Sequence, residues 1–336
     1  MSNAPSCLGD QYRSRLQWRI GVSPTSTASK RSAAPQIRGQ AERTRDSIQA
    51  CRIALAQTAP LLGDVDTNVT QHLRLIAEAK GSEASLIVFP ELSLTGYFLK
   101  DLVPEVALKF DSPQLATLAE ASTDIDCVVG CVLESDDTRF YNAAIYFSRG
   151  QIQHIHRKVY LPTYGLFDES RYLSQGDRFR SFAPTGLRPS RQWDTGMLIC
   201  EDMWHPSAPG LLARQGVNLM LCISASPGRG VGLGAALGTA RSYDAMTRTY
   251  AQMYTSFLVY VNRVGFEDGI AFWGGSRVVG PDGLPLGEPT GREEALVYQD
   301  IDLGAVRRAR IQNPMLRDER HDINDAENDR LRRARD

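Results

Sequence analysis

The chain has 336 residues, of which 42% are hydrophobic and 23% are charged. This is the composition of an ordinary globular protein, and it excludes a collagen, a coiled coil and a chain that is disordered throughout. The 38 basic and 39 acidic residues leave a net charge of -1, so the chain as a whole has no electrostatic attraction for nucleic acid or anionic lipid. We therefore expect no nucleic-acid or membrane partner.

The first 50 residues differ from the rest of the chain in composition and in hydrophobic pattern. They carry eight basic and three acidic residues and are rich in Ser, Ala, Arg and Gln, with no sustained hydrophobic period. We predict a disordered basic tail over residues 1–50. An Arg- and Ser-rich, acid-poor segment also has the composition of an organellar transit peptide, which is the alternative interpretation.

From Cys51 onward, apolar strands alternate with amphipathic helices. A strand over Arg52–Thr58, a helix over Asp66–Lys80 and a strand over Ala84–Pro90 are typical of a βαβ unit in a sheet covered by helices. Further helices are predicted over Pro113–Ser122, Pro209–Gln215 and Ala235–Tyr254. Further strands are predicted over Cys127–Glu134, Ala143–Phe147, Ile152–His156, Thr195–Cys200, Leu219–Ser224, Phe257–Asn262, Ala271–Val279 and Leu296–Ile301.

Strands outnumber helices in this prediction. An α/β sandwich in which two sheets lie between helical layers accommodates them better than one doubly wound sheet does. We place this domain at residues 51–303. The Arg-, Asp- and Asn-rich segment 304–336 is expected to form an exposed C-terminal arm.

The six cysteines are unevenly spaced and include no CxxC pair. That pattern is not typical of a secreted disulfide scaffold or a zinc ribbon, so a reducing, cytoplasmic compartment is expected. His154 and His156 alternate on one predicted strand, with no Cys, Asp or Glu at ligand spacing. We predict no metal site there.

Three segments place a reactive side chain at the end of an apolar strand. Glu91 follows a strand in FPELSLTGY, Lys158 follows one in HRKVYLPTYGLFDE, and Cys200 ends one in GMLICEDMWHP. A thiol becomes a good nucleophile when a base takes its proton or a nearby cation stabilises the thiolate. Together these residues supply a nucleophile, a base and a cation.

These three segments, in this order, resemble the nitrilase superfamily of carbon–nitrogen hydrolases. The residues of these segments are most similar to those of the glutaminase-type amidase domain attached to glutamine-dependent NAD synthetases. The similarity covers about residues 51–303. The resemblance implies a four-layer αββα sandwich and a homodimer or larger homo-oligomer. It also implies an enzyme that needs no cofactor.

The resemblance assigns a catalytic role to each of these residues. Cys200 matches the nucleophile that forms a thioester, Glu91 the general base, and Lys158 the cation that stabilises the oxyanion. The backbone N–H of Glu201 would be a second oxyanion donor. Glu169 matches an acid that supports the lysine.

Other residues match the substrate pocket of the glutaminase-type domains. In those domains the acid that follows the nucleophile binds the substrate amino group. The sequence Cys200-Glu201-Asp202 at the nucleophile of this chain argues against a nitrile substrate. The matching positions in this chain are Tyr97, Tyr164, Phe167, Glu201, Ser226 and Arg229. For the aromatic residues, core packing is the alternative interpretation. For Glu201 the alternative is a structural hydrogen bond, and for Arg229 it is an exposed loop charge.

The activity implied is hydrolysis of a small carboxamide, glutamine-like or another ω-amide, with release of ammonia. The alternatives are a glutaminase subunit that supplies ammonia to a separate synthetase, an N-carbamoyl amide hydrolase, and an acyltransferase that captures the thioester with an amine. An inactive homologue that acts as a binding scaffold is the alternative outside enzymes.

Overall fold

A computed structural model describes residues 50–187, 192–229 and 237–334 of the chain. The predicted tail over residues 1–50 therefore lies outside the described residues, except for its last position. Residues 230–236, which follow Arg229, lie outside them as well. Within the described ranges, no helix is long and apolar enough to cross a membrane.

The first sheet has six strands in the order β13-β1-β2-β3-β4-β5. Strands β1, β2 and β3 run parallel, and the remaining neighbours pair antiparallel. The strands are β1 (Ala50–Gln57), β2 (Leu86–Val88), β3 (Asp126–Glu134), β4 (Phe140–Ser148), β5 (Gln151–Arg157) and β13 (Ala295–Asp302).

The second sheet has five strands in the order β12-β9-β8-β7-β6, and its centre, β7-β8-β9, is parallel. A separate hairpin is formed by β10 (Val264–Glu267) and β11 (Ile270–Trp273). The strands of the second sheet are β6 (Ser181–Phe182), β7 (Thr195–Ile199), β8 (Leu219–Ser224), β9 (Phe257–Asn262) and β12 (Arg277–Val279).

Nine α-helices lie within the described residues. Two short 3-10 helices, Lys100–Leu102 and Cys200–Trp204, accompany them. The α-helices are α1 (Val65–Gly81), α2 (Val103–Val106), α3 (Pro113–Ala121), α4 (Glu169–Tyr172), α5 (Ser207–Arg214), α6 (Gly238–Met253), α7 (Leu303–Gln312), α8 (Met315–Asp318) and α9 (His321–Arg333).

The two faces of β1 show how the layers are ordered. Ile53 and Leu55 point into the cluster that joins the two sheets, whereas Ala54 and Ala56 join the cluster formed with α1 and α3. On the second sheet, α5 packs on β7, and α6 packs on β9 and β12. The predicted arrangement of two sheets between two helical layers is therefore confirmed.

One predicted strand is divided in the structure. The expected strand Ala271–Val279 forms β11 and β12, which belong to different sheets. Gly274 and Gly275 between them have φ values of +68° and +73°, in the left-handed region where the chain leaves an extended path. Residue-by-residue apolarity does not show this bend, so the prediction of one continuous strand was wrong.

The C-terminal segment is helical. Val306 and Ala309 of α7 are buried against the domain, and Arg310 donates to the carbonyl oxygens of Gly216 and Val217. Helix α9 has no buried residue. An ion pair between Arg214 and Asp325, at 2.9 Å, connects α9 to α5.

Candidate active site

The three predicted catalytic side chains stand at the ends of three strands. Glu91 follows β2, Lys158 follows β5 and Cys200 follows β7. Glu91 and Lys158 are completely buried, and Cys200 is 7% exposed. Glu91 and Lys158 are in direct contact, and the charges of both act on the Cys200 thiol.

Cys200 lies on a strained turn. Its φ is +46°, a left-handed conformation that costs a residue with a Cβ about 1–3 kcal/mol. It opens the 3-10 helix that leaves β7, so strand, turn and helix follow one another as in a nucleophile elbow. Burial raises the pKa of the Cys200 thiol, Glu91 raises it further, and Lys158 opposes them. The resting sulfur therefore keeps its proton until a base removes it.

Lys158 is held between two carboxylates. Its Nζ donates to Glu91 Oε1 at 2.7 Å and to Glu169 Oε1 at 2.6 Å. Burial alone would lower the pKa of Lys158, but the charges of Glu169 and Glu91 raise it well above its ordinary value. The ammonium is thus a permanent cation. Two of its three hydrogens point at these acids, which leaves the third for a ligand.

Both oxygens of Glu91 are fixed. Oε1 accepts a hydrogen bond from Asn142 Nδ2 at 2.7 Å, and Oε2 accepts one from the backbone N–H of Ala225 at 2.6 Å. Asn142 lies on β4 of the first sheet, and Ala225 follows β8 of the second. The carboxylate therefore bridges the two sheets and has one orientation, as a general base requires.

Glu169 connects Lys158 to Tyr97. The Tyr97 hydroxyl donates to Glu169 Oε1 at 2.5 Å. Burial raises the pKa of Glu169 above its ordinary value even though Lys158 lowers it. Tyr97 lines a cavity of about 120 Å³ together with Glu169, apart from the cavity beside Cys200. The structure thus places Tyr97 behind the lysine and against its supporting acid.

A cavity of about 350 Å³ opens beside Cys200. Five of the six residues predicted to bind substrate line this cavity, and Tyr97 is the exception. Its wall also includes Trp204, Tyr243 and the first residues of α6. The predicted lining residues are Tyr164, Phe167, Glu201, Ser226 and Arg229.

Opposite charges lie close together in this cavity. The Tyr164 hydroxyl lies 3.0 and 3.1 Å from the two carboxylate oxygens of Glu201. Burial and the charge of Glu201 raise the pKa of Tyr164 to about 12, so it is a hydrogen donor at neutral pH. The Arg229 guanidinium lies 5.4 Å from the ring centroid of Phe167 and 5.9 Å from that of Tyr164. An anion and a cation therefore share one aromatic wall.

Ser226 forms part of the cavity floor. It is 3% exposed, and its hydroxyl accepts a hydrogen bond from Trp273 Nε1 at 3.3 Å. Its backbone N–H donates to Asn262 Oδ1 at 2.8 Å. The segment that leads from β8 to Arg229 is thereby anchored to β9 and to the hairpin.

Asp202 is a structural link that the sequence analysis did not identify. It is completely buried and accepts hydrogen bonds from the backbone N–H groups of Ile199, Val159 and Tyr160 at 3.0–3.1 Å. Its Oδ2 also lies 2.8 Å from His156 Nε2. Asp202 therefore joins the turn at Cys200 to the loop that follows Lys158. Its position directly after Cys-Glu was the only available signal in the sequence.

Two further residues that hold the site in place could not be predicted from the local sequence. Asn142 meets Glu91 across 51 positions of sequence, and Glu267 accepts from the backbone N–H of Tyr97 across 170 positions. Glu267 is paired with Arg263 in a buried ion pair. Among the described residues, no group of three or more His, Cys, Asp or Glu side chains is arranged to hold a metal ion.

Comparison with known proteins identifies the family. Residues 52–311 match the model of the carbon-nitrogen hydrolase family. The chain belongs to the carbon-nitrogen hydrolase family. The resemblance to the nitrilase superfamily is thereby confirmed, and the protein is a hydrolase that acts on carbon–nitrogen bonds.

The chain is similar to NAD(+) synthetases and to an amidase. The glutamine-dependent NAD(+) synthetase of Acinetobacter baylyi is 30% identical over 79% of this chain, which spans only 46% of that relative. An (R)-stereoselective amidase from a Pseudomonas species is 32% identical over 80% of this chain and 91% of the relative. A carbon-nitrogen hydrolase structure from Helicobacter pylori has the same fold, with a TM-score of 0.72 at 23% identity, covering 82% of this chain and 97% of that one.

Proposed function

We propose that this carbon-nitrogen hydrolase cleaves a small ω-amide of an amino acid, glutamine-like in form, to a carboxylate and ammonia through a Cys200 thioester. Two observations carry the proposal. Glu91 and Lys158 of the buried Glu91–Lys158–Glu169 arrangement act on the Cys200 thiol through their charges. Cys200 itself lies on the wall of a cavity that contains both an anion and a cation. A carboxylate and a fixed ammonium supply acid–base catalysis and oxyanion stabilisation without histidine.

In the first half of the reaction, Glu91 takes the proton of Cys200 and the sulfur attacks the amide carbon. The carbonyl π electrons move to oxygen, where the free hydrogen of Lys158 and the backbone N–H of Glu201 stabilise the negative charge. The tetrahedral intermediate collapses as the C–N bond breaks. Glu91 returns its proton to the departing nitrogen, and ammonia leaves.

In the second half, Glu91 deprotonates a water molecule that attacks the thioester carbon. The same two donors stabilise the second oxyanion. The C–S bond then breaks, its electron pair returns to sulfur, and Glu91 restores the proton of Cys200. One amide and one water give one carboxylic acid and one ammonia, and the proton of the acid then passes to ammonia or to solvent. Every residue returns to its starting protonation state.

The substrate class follows from the charges in the cavity. Glu201 suits an α-amino group, and Arg229 with Ser226 suits an α-carboxylate. A zwitterionic head held between them would direct the side-chain amide toward Cys200. The similarity to synthetases named as glutamine-dependent supports the same substrate class.

A glutaminase that supplies ammonia to a separate synthetase is the second candidate, because about half of each synthetase relative matches this chain. The amidase relative, matched over 91% of its length, supports an amidase activity. A homodimer or larger homo-oligomer remains our proposal for the assembly.

The test is an ammonia-release screen of the purified protein against glutamine, asparagine, aliphatic amides and N-carbamoyl amino acids, with Cys200→Ala as the blank. We expect the highest kcat/KM for an amino-acid ω-amide and no turnover by the blank. Carbon dioxide release with ammonia would instead indicate a carbamoyl hydrolase. Hydroxamate formation on addition of hydroxylamine would show that the thioester is open to other acceptors. Full turnover by Cys200→Ala, or no turnover of any amide, would refute the proposal.

A further inference from the structure

A buried phenol touches the sulfur of Cys200. Tyr243, on α6, is 1% exposed, and its hydroxyl oxygen lies 3.2 Å from Cys200 Sγ. The same oxygen lies 3.2 Å from Trp204 Nε1 and 3.5 Å from Ser224 Oγ. The proposed mechanism does not use this contact, although Cys200 Sγ is the atom that would attack the substrate.

The chemistry of the partners determines which group donates. The indole N–H of Trp204 can only donate, so it occupies an acceptor site on the Tyr243 oxygen. When Cys200 passes its proton to Glu91, the sulfur has no hydrogen left to give. The contact between Tyr243 and a thiolate can then only be an O–H···S⁻ hydrogen bond.

Packing holds the phenol in this position. The ring of Tyr243 lies 4.6 Å from that of Tyr260 and 5.6 Å from that of Trp204, measured between centroids. Trp273 packs at 6.1 Å. Because aromatic rings surround it on several sides, the hydroxyl does not have to be ordered anew in each catalytic cycle.

We propose that Tyr243 is a further catalytic residue, which donates a hydrogen bond to the Cys200 thiolate before attack and again when the thioester breaks down. This role rests on the proposed function, in which Cys200 is the nucleophile. Tyr243 keeps its proton throughout. The proton of Cys200 goes to Glu91, and the electron pair of the broken C–S bond returns to a sulfur that already faces a donor.

The surrounding charges explain why such a donor is useful. Burial raises the pKa of the Cys200 thiol, and the hydrogen bonds from Ser224 and from Tyr243 lower it. Burial also raises the pKa of Tyr243 well above its ordinary value, so the phenol stays protonated. Lys158 provides the cation, but two of its hydrogens are already directed at Glu91 and Glu169. The more distant ionisable groups that act on the sulfur are Tyr97, Tyr164, Cys222 and Tyr260.

The experiment measures the thiolate itself. Iodoacetamide alkylation of Cys200 is followed against pH by peptide mass spectrometry in the wild type and in Tyr243→Phe, which removes only the hydroxyl. We expect the midpoint of the Tyr243→Phe profile to rise by about one pH unit, because a hydrogen bond to a charged group is lost. Tyr250→Phe is the matched control, since Tyr250 is a buried phenol on the same helix that stacks on Tyr254. Its midpoint should stay at the wild-type value.

An unchanged midpoint in Tyr243→Phe would overturn the proposal, and so would an equal shift in Tyr250→Phe. Circular dichroism and thermal unfolding show whether each variant is folded. If Tyr243→Phe does not fold, Trp204→Phe replaces it. Loss of the indole donor should raise the midpoint in the same direction by a smaller amount, and no rise would overturn the proposal.

Alkylation displaces iodide from the reagent and does not require an amide bond to be hydrolysed, so the two proposals fail separately. If no amide is turned over but the midpoint shifts, the proposed function is wrong and the contact between phenol and thiolate stands. If amides are turned over and the midpoint does not shift, the proposed function stands and the role of Tyr243 is wrong.

Discussion

A methyl group added at Gly130 should disable the site without touching any catalytic side chain. Gly130 lies on β3 beside the segment that carries Glu91. A Cβ at this position would lie 2.4 Å from Leu92 N, 2.5 Å from Pro90 O and 2.9 Å from Glu91 C. All three are backbone atoms, so no side-chain rotation can relieve the clash.

The size of the effect follows from these distances. Ordinary contact begins at 3.4 Å, so the Glu91 segment must move by about 1 Å. A displacement of this size at a catalytic group can cost about 100-fold in rate, and overpacking of a buried site costs about 1–3 kcal/mol of stability. The carboxylate would also be pulled from its contacts with Lys158 and Ala225, at 2.7 and 2.6 Å.

The assay compares Gly130→Ala with Gly81→Ala in ammonia release, in the rate of Cys200 alkylation and in urea unfolding. Gly81 is the matched control because an added Cβ there has no atom within 4 Å. We expect Gly130→Ala to lose about 100-fold in kcat and to unfold at lower urea, whereas Gly81→Ala should match the wild type. A folded Gly130→Ala protein with wild-type turnover would refute the reasoning.

Three other substitutions test separate parts of the site. Glu169→Gln removes one of the two carboxylates on Lys158 and should lower kcat by about tenfold or more, with a smaller effect on KM; an unchanged kcat in steady-state assays would contradict the supporting role. Arg229→Ala should raise KM for glutamine by about 10- to 100-fold and leave KM for a neutral aliphatic amide nearly unchanged, because only the former has a carboxylate to pair; equal changes for both substrates would argue against this pairing. Asp202→Asn replaces one acceptor oxygen with an NH2 group, so that at least one backbone N–H of Ile199, Val159 or Tyr160 loses its acceptor. The free energy of unfolding measured in urea should fall by about 1–3 kcal/mol. A wild-type unfolding midpoint would show that these hydrogen bonds are not needed.

Much of the candidate site was accessible from sequence because the predicted catalytic residues follow buried strands. The strands that end before Glu91 and Lys158, and the one that leads into Cys200, are near-continuous apolar runs, and such runs are predicted from local sequence alone. The family resemblance then supplied the roles of the three residues. The same resemblance pointed to Tyr164, Phe167, Glu201, Ser226 and Arg229, and all five line the cavity beside Cys200.

Other features depend on contacts between residues far apart in the chain. Tyr97, which was predicted to bind substrate, lies on a loop held by Glu267, and its hydroxyl donates to Glu169. Tyr243 reaches Cys200 only because α6 packs on the second sheet across 43 positions of sequence. No local pattern in either segment indicates such a meeting.

By itself, the sequence indicated the candidate reactive residues and the apolar strands that precede them, since apolar periodicity and side-chain chemistry are local properties. The tertiary structure decided which groups touch. It set Lys158 between Glu91 and Glu169, joined both sheets through the Glu91 carboxylate, and placed the phenol of Tyr243 against the sulfur of Cys200. The physical reason is that burial and charge pairing, which set the protonation of these groups, arise only once the two sheets and their helices have packed together.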